Sequence, residues 1–137
     1  MSELLRKLQE APLPLARTLG IEFTRAEPDL VEARMTVREE ICTRPAILHG
    51  GAVMALADTV GAAATVINLP PGAGTTTIES KTNFLSAIAL GDVAIARARP
   101  FHRGRTTMVW QTEISRESDG RLAAVVTQTQ RVLAAKS

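Results

Sequence analysis

The sequence contains no tyrosine, one tryptophan and three phenylalanines, so aromatic residues make up only 3% of its 137 positions. Proteins that bind single-stranded nucleic acids stack bases on aromatic side chains, and few such side chains are available here. The 16 basic residues exceed the 14 acidic ones by only two and alternate with them along the chain. This composition argues against a nucleic-acid partner.

Cysteine and histidine are also scarce. Cys42 is the single cysteine, so no disulfide forms within the chain, as is typical of a reducing compartment. The opening residues, MSELLRKLQEAPLP, lack the apolar run of a secretory signal, and we expect a cytoplasmic location. His49, His102 and Cys42 have no metal-ligand spacing, and no G-x-S-x-G motif is present. We therefore expect neither a metal, nor a bound cofactor, nor a serine hydrolase.

The spacing of apolar residues and of glycine and proline predicts one α+β domain over residues 1–137. Two short helices are predicted in the N-terminal segment 1–20, followed by two strands that turn at Pro28 and Asp29. Residues 41–51 read as a loop and 50–67 as one long helix. A meander of strands follows, with turns at 103–105 and 119–120. Runs of strands around a single helix predict an antiparallel sheet packed on that helix.

The long helix is apolar on every side apart from Asp58, Thr59 and Thr65. Its length raises the question of a membrane span, but the carboxylate, the three glycines and the alternating segments around it favour the core of a soluble protein. No membrane association is expected. Because two sides of this helix need covering, either the sheet curls far around it or a second subunit helps.

Asp58 raises the question of function, because a carboxylate is costly to remove from water. It either points to solvent or an arginine, or it acts as a base or nucleophile in a partly dry cleft. His49, Gly50 and Gly51 favour the second interpretation, since glycines at a helix start expose backbone N–H groups that stabilise a developing negative charge. The alternative is that the glycines only permit a tight loop-to-helix turn, which the presence of Asp58 downstream makes the less favoured interpretation. His49 either orients the loop or polarises a substrate.

The stretch RPAILHGGAVMALADT, residues 44–59, closely resembles the signature of the hotdog-fold acyl-CoA thioesterases, of the phenylacetate-pathway and 4-hydroxybenzoyl-CoA type. The likeness extends over residues 15–133. It implies a curved antiparallel sheet wrapped around one long central helix. It also implies hydrolysis of an acyl- or aryl-CoA to free acid and CoA, by a homo-oligomer, a dimer or a homotetramer, with its site at the subunit interface.

The resemblance also assigns roles. Asp58 becomes the catalytic nucleophile or base, the Gly50 N–H holds the thioester carbonyl, and Thr77 lies near the carboxylate to position water. Relatives carry Asn or Gln six residues before the histidine, where this chain has Thr43, whose hydroxyl reaches less far.

Coenzyme A carries phosphates, and Arg103 and Arg105 flank Gly104 as in relatives that bind the nucleotide. Gly51 is expected to contact substrate at the helix start.

Two alternative functions stay open. One is a hotdog hydratase or dehydratase that uses His49, and the other is a non-catalytic acyl-CoA-binding domain, which Thr43 favours.

Overall fold

A computed structural model describes residues 1–136. It contains three α-helices, a 3-10 turn over Glu39–Ile41 and eight strands. In chain order the elements are α1 (Glu3–Glu10), α2 (Pro14–Leu19), β1 (Ile21–Glu27), β2 (Leu30–Thr36), β3 (Cys42–Thr43), β4 (Ile47–Leu48), α3 (Gly50–Val66), β5 (Gly74–Phe84), β6 (Val93–Arg103), β7 (Thr107–Arg116) and β8 (Leu122–Leu133).

Six of the strands form one antiparallel sheet in the order β1-β2-β6-β7-β8-β5, and this sheet packs around α3. The α+β hotdog architecture predicted from the sequence is confirmed. The predicted meander is right for β6, β7 and β8 but wrong for β5, which pairs with β8 at the sheet edge. The connection over residues 85–92 is long enough for a crossover, and it begins with the N–H groups of Leu85 and Ser86 donating to the carbonyl of Ala123 in β8.

Strand β5 contains a β-bulge. Its pairing with β8 shifts between Thr77 and Glu79, so Ile78 is the extra residue. Thr77 pairs with Gln130 before the bulge and Ser80 pairs with Gln128 after it. Both of these β5 residues therefore face α3, because Gln128 and Gln130 lie fully buried under that helix.

The segment before α3 is more ordered than the predicted loop. Strands β3 and β4 form a small hairpin in which Cys42 pairs with Leu48 and Thr43 with Ile47. Ala46 has φ 62°, in the left-handed region that a tight turn of this kind uses. Two-residue strands are too short to produce an alternating pattern, so periodicity could not predict them. The hairpin leads directly into the start of α3.

One side of α3 is covered by the sheet and the other is not. Leu56, Ala57 and Val60 are fully buried, whereas the side chains of Met54 and Val66 are 41% and 52% exposed. The sheet therefore covers only part of an apolar helix, and the expectation of a second covering partner stays a prediction. No helix within residues 1–136 is long and apolar enough to cross a membrane.

The turn between β7 and β8 should make stability depend on pH. The Arg116 guanidinium donates to the Asp119 carboxylate and, with the Arg121 N–H, lowers the Asp119 pKa from 3.8 to about 2. Because the folded-state pKa is the lower one, the stabilisation is complete above pH 4 and is lost as the pH falls through 2. Asp119→Asn should lower Tm slightly at pH 7 and hardly at all at pH 2, measured by thermal unfolding. An equal Tm loss at both pH values would contradict this assignment.

Candidate active site

Asp58 lies in the third turn of α3, half-buried between the helix and strands β5 and β8. Its Oδ1 accepts a hydrogen bond from the Thr77 hydroxyl at 2.7 Å and a second one from the Gln128 amide. Both donors are neutral, so the carboxylate is held in place without an ion pair to an arginine. Neutral donors fix the position of the carboxylate and leave its negative charge available for chemistry.

Thr77 is thus brought next to Asp58, as the resemblance implied, but its hydrogen-bonding capacity is already used. Its proton goes to Asp58, and its oxygen accepts from the Gln130 amide at 2.6 Å and from the Gln128 amide at 3.3 Å. A hydroxyl has one proton and two lone pairs. The predicted role of holding a water molecule therefore does not fit Thr77, whose contacts orient the carboxylate instead.

Gln128 and Gln130 are site residues that the sequence reasoning missed. Both are fully buried on the face of β8 that packs against α3, where the other buried positions are apolar. Those apolar positions are Ala124, Val126 and Val132. The signal was available in the segment VVTQTQRV, because two amides interrupt the apolar positions of a period-2 strand.

The start of α3 offers one free backbone donor. His49 is the N-cap, and its Nδ1 accepts from the Gly51 N–H at 2.7 Å, while the N–H groups of Ala52 and Val53 donate to the His49 carbonyl. Within the described chain no acceptor is found for the Gly50 N–H. Gly50 therefore provides the available donor at the positive end of the helix. The Gly51 N–H, for which a substrate contact was predicted, is already bonded to His49.

The start of α3 is bordered by an open cleft and by the side chain of Phe84. Thr43, His49 and Leu90 line an open cleft of about 580 Å³ on one side. On the other side lies the Phe84 ring, since a Cβ added to Gly50 would be 3.3 Å from its Cζ. The Thr43 side chain is exposed in β3.

Asp58 and Gly50 of one chain are too far apart to act on one carbonyl group. Eight residues separate them along α3, and at a rise of 1.5 Å per residue this distance is about 12 Å. A base or nucleophile and an oxyanion donor must both lie about 3 Å from the reacting group. The structure places both groups on α3 but does not bring them together within one protomer.

The arginine turn lies at the opposite end of α3. Arg103 donates to the Pro28 carbonyl at 3.1 Å and to the Asn68 side chain at 3.5 Å. Arg105 is exposed, and both arginines line a shallow cleft next to Asn68. Gly104 permits this tight turn, because an added Cβ would be 2.9 Å from the Thr107 carbonyl oxygen. Arg103 is thus partly engaged by the fold and Arg105 is the freer cation. No cluster of three metal-ligating side chains occurs within residues 1–136.

Comparison with known proteins agrees with this architecture of a curved sheet around one long helix. A family model described as the thioesterase superfamily matches residues 46–123. The chain is 35% identical over 107 residues to the proofreading thioesterase EntH of Cronobacter turicensis, which covers 78% of this chain and 77% of that one.

Solved structures give the same result. A thioesterase of Haemophilus influenzae superposes with a TM-score of 0.89 at 30% identity, covering 100% of this chain and 94% of its own. A thioesterase protein of Streptococcus pneumoniae, solved with coenzyme A, superposes with a TM-score of 0.76 at 26% identity, covering 85% and 88%. The fold is that of the hotdog thioesterases. This chain belongs to the thioesterase superfamily and is a thioester hydrolase.

Proposed function

We propose that this protein is an acyl-CoA thioesterase in which Asp58 of one protomer and the Gly50 N–H of another act on the same thioester. The observation that carries this proposal is the half-buried Asp58 carboxylate, fixed by two neutral donors on the incompletely covered helix. Coenzyme A bound to the similar Streptococcus pneumoniae protein supports a CoA ester as substrate.

In the general-base route, Asp58 takes a proton from water while the water oxygen attacks the thioester carbon. The carbonyl oxygen becomes negative and is stabilised by the Gly50 N–H, a donor that is preorganised at the helix start. The tetrahedral intermediate then expels the CoA thiolate, which takes the proton back from Asp58. In the nucleophilic route Asp58 itself attacks the thioester carbon and expels the CoA thiolate, which leaves a mixed anhydride between Asp58 and the acyl group. Water then hydrolyses this anhydride to the free acid and the Asp58 carboxylate, and the proton released goes to the thiolate.

The sheet edge supports self-association as a dimer. Strand β5 is eleven residues long and pairs with β8 on one side only. Its Ile78 and Phe84 side chains are 59% and 55% exposed. A long, partly apolar edge strand pairs readily with a second copy of itself. We propose that such pairing brings α3 of one protomer alongside α3 of its partner, and that a tetramer would cover the remaining apolar helix surface.

The experiment that tests the function is the release of free thiol from a panel of acyl-CoAs by the purified protein. The panel should contain short aliphatic, medium-chain and aromatic acyl groups. We expect turnover of at least one class, and failure with all of them would overturn the proposal. Loss of enoyl-CoA without thiol release would instead indicate a hydratase, although His49 is poorly placed to be its base because Nδ1 already caps α3.

Arg105 provides a test of phosphate recognition. Asn68, next to the arginine turn, is ten residues beyond Asp58, about 15 Å along the helix axis, a distance that an extended pantetheine arm can bridge. We propose that Arg105 contacts a phosphate of CoA. Arg105→Ala should raise KM about fivefold for acyl-CoA with kcat unchanged, as expected for one exposed ion pair of about 1 kcal/mol.

The control for this variant is the matching acyl-N-acetylcysteamine, which has the thioester but no phosphate. Its KM should be the same for the parent protein and for Arg105→Ala. An equal rise in KM for both substrates would show that Arg105 does not act through a phosphate.

A further inference from the structure

We propose that Gln128 is the positioning residue of the reaction: it holds the Asp58 carboxylate by Oδ1 and so assigns the chemistry to Oδ2. This inference rests on the proposed function. Gln128 and Thr77 both donate to Oδ1, whereas Oδ2 has no donor within residues 1–136. A carboxylate held by one oxygen presents the other oxygen in a fixed direction toward water or a carbonyl carbon.

The hydrogen bonds behind Asp58 run from Gln130 through Thr77 to the carboxylate, and the Thr75 hydroxyl lies within reach of both Gln130 Oε1 and the Arg131 carbonyl. The Thr75 hydroxyl is 2.8 Å from Gln130 Oε1, and the Gln130 amide donates to the Thr77 oxygen at 2.6 Å. Thr77 then donates its own proton to Asp58 at 2.7 Å. From Gln130 onward each donor points toward the carboxylate, so these two hydrogen bonds support one orientation of Asp58.

The burial of Gln128 is not explained by folding alone. Its side chain is fully buried, and its Oε1 has no hydrogen-bond partner within the described residues. An unsatisfied buried carbonyl group destabilises the folded state, and an apolar residue of similar length would avoid that cost. Its amide meanwhile reaches Asp58. A destabilising choice of residue next to a catalytic carboxylate indicates a functional role.

Gly61 of α3 is matched to this glutamine. A Cβ at position 61 would be 1.8 Å from Gln128 Oε1 and 2.7 Å from its Cδ, so any larger residue would displace the amide. Glycine inside a helix makes the helix less stable than alanine does. The helix therefore contains a poor helix former at a position where the Gln128 amide lies against it.

The first test is Gln128→Met, which keeps the length and most of the volume of the side chain but removes the donor. We expect kcat to fall about 10- to 100-fold, as for a small misplacement of a reacting group, with KM changed less than about twofold. We expect the free energy of unfolding to stay the same or rise. A purely structural residue would instead lower stability and leave kcat of the folded enzyme unchanged.

The second test is a double-mutant cycle with Gly61→Ala. In the parent protein Gly61→Ala should lower kcat as much as Gln128→Met does, because the new methyl group displaces the amide. In a Gln128→Ser background, which leaves room for that methyl group, Gly61→Ala should have no further effect on kcat. An equal loss in both backgrounds would show that Gly61 acts without Gln128 and would overturn the inference.

The outcomes separate this inference from the proposed function. If the parent enzyme hydrolyses an acyl-CoA and Asp58→Asn is inactive, but Gln128→Met keeps the parental kcat, the positioning role is wrong and the thioesterase stands. If the parent protein releases no thiol from any acyl-CoA, the proposed function fails first, and the inference fails with it.

Discussion

Replacing Asp58 with asparagine should lower kcat for thiol release by about a thousandfold, within the range that a general base contributes. Asparagine has the same shape and keeps an oxygen that accepts from Thr77 and Gln128. The amide cannot take a proton from water and is a poor nucleophile. The variant should therefore fold like the parent protein and bind substrate while turning it over very slowly.

The measurement is single-turnover and steady-state thiol release, with circular dichroism and thermal unfolding to confirm the fold. Asp29→Asn is the matched control, because that carboxylate is exposed in the turn between β1 and β2. It should leave kcat unchanged. Undiminished hydrolysis by Asp58→Asn would end the catalytic assignment, whatever the state of the fold.

Two inactive variants should restore activity when they are mixed. Gly50→Pro removes the free N–H, and proline is well tolerated at the first position of a helix. The preceding residue, His49, already has the extended conformation, φ −63° and ψ 138°, that precedes proline. Loss of one oxyanion donor costs about 100- to 1000-fold in kcat, so Gly50→Pro alone should be nearly inactive.

Mixing matters because the two groups are proposed to come from different protomers. In a mixed dimer of Gly50→Pro and Asp58→Asn, one site combines the intact Asp58 with the intact Gly50, and the other site has neither. Random exchange between equal amounts of the two variants should restore about a quarter of the parental kcat per protomer, since half of the dimers are mixed.

The subunits are exchanged by mild denaturation and refolding, and activity is assayed before and after. The doubly substituted protein, mixed with parent protein in the same way, is the control for exchange itself. If exchange is demonstrated but the mixture stays inactive, the two groups do not cooperate across an interface. The distance of about 12 Å along α3 would then need another explanation.

The sequence was most informative where a local pattern determines structure. The bounds of α3, the turn at Pro28 and Asp29 and the alternation in β6, β7 and β8 follow from periodicity and from glycine and proline. The position of β5 depends on pairing between residues far apart in the chain, so no local pattern could give it. This is why the predicted meander was wrong for that one strand.

The site shows the same division. Asp58 was conspicuous because a carboxylate interrupts an apolar helix, and its partner Thr77 came only from the resemblance. Gln128 interrupts an apolar strand face in the same manner, yet an amide is a weaker signal than a charge. That Arg103 is bound to Pro28 and Asn68 could not be predicted, because both partners are brought to it by the fold.

The extra residue in β5 has a consequence for the geometry of the reaction. Thr77 supports Asp58, and Phe84 lies against Gly50, seven positions further along the strand. Residues an odd number apart point to opposite faces of a regular strand. The bulge at Ile78 reverses that alternation. Thr77, which donates to Asp58, and Phe84, which lies against Gly50, therefore point to the same face of β5. Deleting Ile78 would restore regular alternation and turn one of the two outward.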